Sequence, residues 1–180
     1  MEQLPKEVVW LVSFVLIEAA IIDGRSLRVP NWLTFHFLVG GLLFALWKGG
    51  SSLLLTSLLG AGAGLMCLLP LYAIGGMGAG DVKLMAGIGA WMGPWLTLWA
   101  FFSTAIAGAL IAAGMIVYSG NLYRHLAMMH VISHEVLTIR HPEALSEIAA
   151  RRKPTMTLLP YAIPIAVGSI AFFAWSGMLT

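Results

Sequence analysis

Residues 84–118 contain no charged side chain. An uncharged apolar run of this length is typical of helices that cross a membrane. At about 1.5 Å per residue, this run is longer than one crossing of a hydrocarbon core about 30 Å thick. It is therefore either one overlong helix or two shorter helices. The break would lie at Gly93 and Pro94, where proline interrupts a helix.

The composition also indicates a membrane protein. Of all residues 59% are hydrophobic and 10% are charged, whereas about a quarter are charged in soluble domains. The single cysteine, Cys67, lies in an apolar run and excludes a disulfide framework or a cysteine zinc site. Near the start, Glu2 and Glu7 oppose Lys6, unlike the positive start of a secretory signal. We therefore predict an all-α, polytopic membrane protein whose first apolar run is a permanent span.

Basic residues decide how often residues 84–118 cross. Two crossings put the basic residues of the loop 119–157 on the same side as Arg25, Arg28 and Lys83, so that eight of the ten basic residues share one side. One crossing would split them three against five. The tendency of basic residues to stay on the cytoplasmic side favours two crossings.

The resulting prediction is one integral membrane domain, residues 1–180, with about six transmembrane helices and both termini outside. Pro30 and Asn31 mark the turn at which the second helix begins. Residues 119–157 are expected to form a cytoplasmic, amphipathic loop on the membrane surface. The predicted spans are residues 8–22, 32–47, 53–74, 82–93, 95–118 and 158–178.

The sequence contains two aspartates, and each lies where an apolar run meets a polar segment. Asp81 follows a glycine-rich stretch in which Gly78 and Gly80 let another chain approach the carboxylate closely. Asp23 ends the first apolar run, and the predicted topology puts both aspartates on the cytoplasmic face. Two carboxylates in a partly dry site share one proton, so they provide the acid and the base that peptide hydrolysis requires. Alternatively, each aspartate only caps a helix.

Three segments resemble one protein family. Residues 78–81, Gly-Ala-Gly-Asp, match the GxGD signature of membrane aspartyl proteases, and the continuation VKLMAGIGAWMG resembles the type IV prepilin peptidase branch. Residues 23–34 resemble the first catalytic segment of that family, and the Pro-Tyr sequence in residues 159–164 resembles its last helix. The resemblance implies a GxGD loop at the start of the fourth helix. It also implies that Asp23 and Asp81 are the catalytic dyad of an endopeptidase that removes prepilin leader peptides.

The short form of this family, which serves tight-adherence (Flp) pili, is the most similar. Larger members begin with a cytoplasmic domain whose cysteine pairs accompany N-methylation, and this chain has neither the length nor the cysteines. We therefore expect cleavage without methylation and without a cofactor. The expected partners are a single-span prepilin and membrane lipid, with no nucleic acid. The expected location is the bacterial cytoplasmic (inner) membrane.

Four other charged residues lie near the aspartates. Lys83 could hold Asp81 ionised, contact a substrate, or serve as a positive-inside anchor. Arg25 and Arg28 suit a substrate carboxylate or lipid headgroups, and their main role is expected to be topological.

Glu18 is the one acid within a span, and it is about 140° around a helix from Asp23. A structural, hydrogen-bonded Glu18 is favoured. The alternative function is a small proton- or cation-coupled transporter that uses Asp23, Glu18 and Asp81, and a non-catalytic scaffold is a third hypothesis.

The histidines of the loop 119–157 raise the question of a metal site. His130 and His134 are one helical turn apart beside Glu135. Their order is not the HExxH of a metalloprotease. The surrounding apolar residues favour a surface helix with the histidines on its wet side, so no metal site is predicted.

Overall fold

The structure is a computed structural model that describes residues 5–73, 76–120 and 160–180, together with residues 130, 131, 138, 147 and 148. Most of the predicted loop 119–157 lies outside the described residues. The described part is helical and contains no strand, so the all-α prediction is confirmed. Its helices are α1 (Lys6–Ser26), α2 (Asn31–Ala73), α3 (Ala79–Ser119) and α4 (Ala162–Trp175).

Helices α2 and α3 each change direction at one glycine. Gly50 has φ 61° and ψ −148°, and Gly93 has φ 76° and ψ 173°. Glycine adopts positive φ without steric cost, and Pro94 follows the second break because it has no N–H to continue the helix. The predicted start of a helix at Asn31 and the predicted break at Gly93 are both confirmed.

The helical segment 79–92 packs against both halves of α2. It runs parallel to residues 31–49, because the residue numbers at their contacts rise together. These contacts pair Phe37 with Gly87 and Gly41 with Ala90. It runs antiparallel to residues 51–73, where contacts pair Ser57 with Ala90, Gly60 with Gly89 and Gly64 with Met85. The chain therefore reverses at Gly50.

Helix α4 packs against α1 and against the second half of α3. It is antiparallel to residues 94–119, with contacts that pair Trp99 with Phe172, Thr104 with Gly168 and Gly108 with Pro164. It is also antiparallel to α1, with contacts that pair Lys6 with Thr180, Asp23 with Ala162 and Gly24 with Ile163. Residues 94–119 and α1 therefore run in the same direction, opposite to α4.

By length and composition, α2 and α3 are each apolar enough to cross a membrane, and α4 is a shorter apolar helix of 14 residues. Large apolar side chains are exposed on the outside of the bundle, as lipid contact requires. Examples are Phe14, Trp47 and Leu110. The described structure is that of an all-α membrane protein, and the number of crossings stays a prediction.

Segment 79–92 is the centre of the bundle, since residues 84–90 are all buried. Its contact with residues 51–73 depends on glycine, because a Cβ on Gly60 would lie 2.1 Å from the carbonyl oxygen of Gly89. Helices associate in lipid through the close packing of small residues, because the hydrophobic effect does not favour helix–helix contact over helix–lipid contact. This contact fixes the position of the helix that begins with the GxGD segment.

Gly60 and Gly62 provide a matched test of this packing. A Cβ on Gly62 meets no atom within 4 Å. We expect Gly60→Ala to lower the free energy of unfolding by about 1–3 kcal/mol, the usual cost of overpacking. Gly62→Ala should leave it unchanged or slightly raised, since alanine favours helix. Reversible unfolding in mixed detergent micelles measures both, and equal stability of the two variants would contradict the packing described.

Candidate active site

Asp23 lies in the last turn of α1 and is only 3% exposed. The sequence placed it just beyond the span 8–22, but α1 continues to Ser26 and includes it. Its Oδ2 accepts a hydrogen bond from the backbone N–H of Ala162 at 3.0 Å. Ala162 is the first residue of α4, where backbone N–H groups have no partner within the helix and favour negative charge. The start of α4 therefore fixes the carboxylate of Asp23.

Asp81 lies in the first turn of α3 and is 6% exposed. Its Oδ2 accepts a hydrogen bond from the N–H of Gly78 at 3.2 Å, so it caps its own helix. Asp23 likewise caps α4. One oxygen of each carboxylate therefore caps a helix, as the capping alternative predicts. The same hydrogen bonds hold each side chain in place.

Both aspartates line one cavity of about 560 Å³. This volume is within the range of about 300–1,000 Å³ that is usual for ligand sites. The cavity lies at the end of the bundle where α1 ends and where α2, α3 and α4 begin. Its other lining residues are Ser26, Leu27, Arg28, Val29, residues 76–80, Pro160 and Tyr161.

A sharp turn after α1 brings the two aspartate segments together. Leu27 has a left-handed backbone, with φ 52°, and its N–H donates to the carbonyl oxygen of Asp23 at 2.7 Å. The chain then passes directly over Gly80, where a Cβ would lie 2.7 Å from the carbonyl oxygen of Val29. The sequence assigned this glycine to the approach of a substrate. In the structure, the chain that approaches Gly80 is the turn of the protein itself.

The structure distributes the other predicted site residues differently. Lys83 does not line the cavity, and its Nζ donates to Asn31 Oδ1 at 2.9 Å. Arg25 is exposed in the last turn of α1, where a positive charge favours the helix end. Glu18 is half-buried in α1 and does not line the cavity. The predicted residues that share the cavity are Asp23, Arg28, Gly78, Gly80 and Asp81.

Two residues of the site region were missed as functional candidates. The sequence indicates Asn31 only as a helix start, and Tyr161 only as part of the Pro-Tyr resemblance. A polar side chain at the first residue of a helix that follows an aspartate segment is a signal that could have identified Asn31. No cluster of three or more potential metal ligands occurs among the described residues. His134 and Glu135 lie outside them.

Two carboxylates thus line one cavity at the end of an apolar helical bundle. Residues 10–113, more than half of the chain, match the sequence model of the type IV leader peptidase family. The protein belongs to the type IV leader peptidase family, and the resemblance seen in its sequence is confirmed.

Curated relatives named prepilin leader peptidase/N-methyltransferase are similar to this chain. The protein from Bacillus subtilis is 31% identical over 169 residues, which cover 89% of this chain and 52% of the relative. The protein from Aeromonas hydrophila is 37% identical over 115 residues, which cover 59% of this chain and 39% of the relative. The chain thus spans about half or less of the length of these relatives. No solved structure matches it significantly.

The hydrogen bond from Lys83 to Asn31 joins the starts of α3 and α2 beside the cavity. We expect Lys83→Met and Asn31→Ala to be coupled by about 0.5–1.5 kcal/mol in the free energy of unfolding, because each removes the same hydrogen bond. A double-mutant cycle in mixed micelles measures this coupling. The control pair Lys48→Met and Asn31→Ala should be additive, and additivity in both cycles would contradict the bond.

Proposed function

We propose that this protein is a membrane aspartyl endopeptidase that removes the leader peptide of prepilin-like proteins. The observation that carries the proposal is the shared cavity of Asp23 and Asp81 in a chain of the type IV leader peptidase family. The names of the relatives support a prepilin as substrate.

The proposed chemistry uses the two carboxyl groups as one acid and one base. Two neighbouring buried carboxyl groups do not both ionise, so one is charged and the other keeps its proton. The charged group takes a proton from water, and the water oxygen attacks the scissile carbonyl carbon. The protonated group then gives its proton to the leaving nitrogen as the carbon–nitrogen bond breaks. The proton taken from water restores the pair for the next turnover.

Backbone hydrogen bonds support this chemistry by fixing both carboxyl groups before the substrate arrives. Asp23 is bound by the N–H of Ala162 and Asp81 by the N–H of Gly78. Groups that are fixed in advance do not have to reorganise during the reaction, which is a major source of rate enhancement. Burial of both side chains also limits the water around them and strengthens their mutual electrostatic effect.

The cellular location of the protein and the identity of its substrate are part of the same proposal. The cavity lies at the end of the bundle that carries Arg25, Arg28 and Lys83, which favours the cytoplasmic side of the bacterial inner membrane. We propose six crossings, an Flp-type prepilin as substrate and contact with membrane lipid. The transporter alternative gains no support, because Glu18 does not share the cavity of the two aspartates.

Substitution of either aspartate tests the proposal. Asp23→Asn and Asp81→Asn should each abolish leader removal, because an amide cannot serve as either acid or base. Glu18→Gln, on the same helix as Asp23, should cleave at the wild-type rate. The measurement is the mobility shift of an Flp-type prepilin from the same genome, incubated with each purified protein in lipid vesicles. Full processing by either asparagine variant would rule out the dyad.

We also propose that the 180-residue chain cleaves without N-methylation. The methylation expected of larger family members accompanies cysteine pairs, and this chain has a single cysteine, in α2. The mature pilin made by this chain alone should therefore have an unmodified α-amino group. Mass spectrometry of the product with added methyl donor tests this, and a mass increase of one methyl group that depends on the chain would show a second activity.

A further inference from the structure

Tyr161 is the residue that directly precedes α4. It directly precedes Ala162, whose N–H binds Asp23. It also lines the same cavity as Asp81. Its carbonyl oxygen accepts the N–H of Ile165 at 3.2 Å, so the first turn of α4 fixes its backbone. The position of Tyr161 is therefore related to the carboxyl groups of both Asp23 and Asp81.

Besides the protonated carboxyl group of the proposed pair, three of the described residues that line the cavity have side chains that can donate hydrogen bonds: Ser26, Arg28 and Tyr161. The hydroxyl of Ser26 is bonded to the carbonyl oxygens of Ile22 at 2.8 Å and Arg28 at 3.1 Å, and Ser26 and Arg28 are both exposed. Tyr161 is half-buried. Of these three hydrogen-bond donors, Tyr161 is therefore the most enclosed and the best placed to bind a ligand inside the cavity.

Peptide hydrolysis creates a need for such a donor. When water attacks the scissile carbonyl carbon, negative charge develops on the carbonyl oxygen. A fixed, neutral donor aimed at that oxygen stabilises the transition state more than the substrate. A phenol, with a usual pKa near 10, keeps its hydrogen at neutral pH.

We propose that Tyr161 is a third catalytic residue, whose hydroxyl donates a hydrogen bond to the scissile carbonyl oxygen. The inference rests on the proposed peptidase function. The protons balance without the phenol, because the water proton goes to the charged carboxyl group and the leaving nitrogen receives its proton from the other. Tyr161 stabilises charge and retains its hydrogen throughout.

Tyr161→Phe tests the role, since it removes one oxygen atom and keeps the ring. We expect kcat for prepilin cleavage to fall about 100-fold or more, the usual cost of losing such a donor. KM should change by less than about threefold, because the interaction forms in the transition state. Tyr118→Phe is the matched control, since Tyr118 is 96% exposed and does not line the cavity, and it should cleave like the wild type.

A binding measurement distinguishes a catalytic role of Tyr161 from a role in folding. A fluorescent prepilin should bind Asp81→Asn and the double variant Asp81→Asn with Tyr161→Phe equally well. Weaker binding by the double variant, or a Tyr161→Phe enzyme with raised KM and unchanged kcat, would overturn the role of Tyr161. Equal kcat for wild type and Tyr161→Phe would overturn it as well. A wild-type protein that leaves the prepilin intact would instead contradict the proposed peptidase function itself.

Discussion

The close backbone contact between segment 79–92 and its neighbours is the constraint on which the rest of the structure depends. Gly60 and Gly89 lie so close that a methyl group on either would overlap the carbonyl oxygen of the other. In the same segment, Gly80 packs directly against the backbone of Val29, in the turn that follows α1. Because these contacts involve backbone on both sides, they leave little freedom in the position of the helix that begins beside Asp81.

The candidate site is assembled from helix ends. The end of α1 supplies Asp23, the start of α3 supplies Asp81, and the start of α4 supplies the N–H of Ala162. Helix starts carry partial positive charge, so two buried carboxyl groups gain electrostatic support there in addition to the exposed Arg28 of the cavity wall. This explains how an apolar bundle holds two acids while Lys83 is engaged with Asn31 outside the cavity.

Much of this arrangement could be predicted from the sequence, for identifiable reasons. The uncharged run, the glycine–proline pair and the distribution of the basic residues together indicated a break at Gly93, because proline kinks or breaks a helix. The isolation of the two aspartates indicated a shared site. The sequence could not give the roles of Gly80 and Lys83, since both depend on residues about fifty positions away along the chain. Tyr161 was missed for the same reason, because its neighbours in space come from α1 and α3.

Asp23 and Asp81 line one cavity, and cross-linking tests this shared site directly. In a Cys67→Ala background, Asp23→Cys and Asp81→Cys are combined, and the protein in membranes is treated with a short bifunctional thiol reagent. A protease site inserted between the two positions reports the link as two fragments that stay joined. We predict efficient joining for this pair, and none when Asp23→Cys is combined with Lys48→Cys at the opposite end of the bundle. Fragments that separate in the first pair would contradict the shared site.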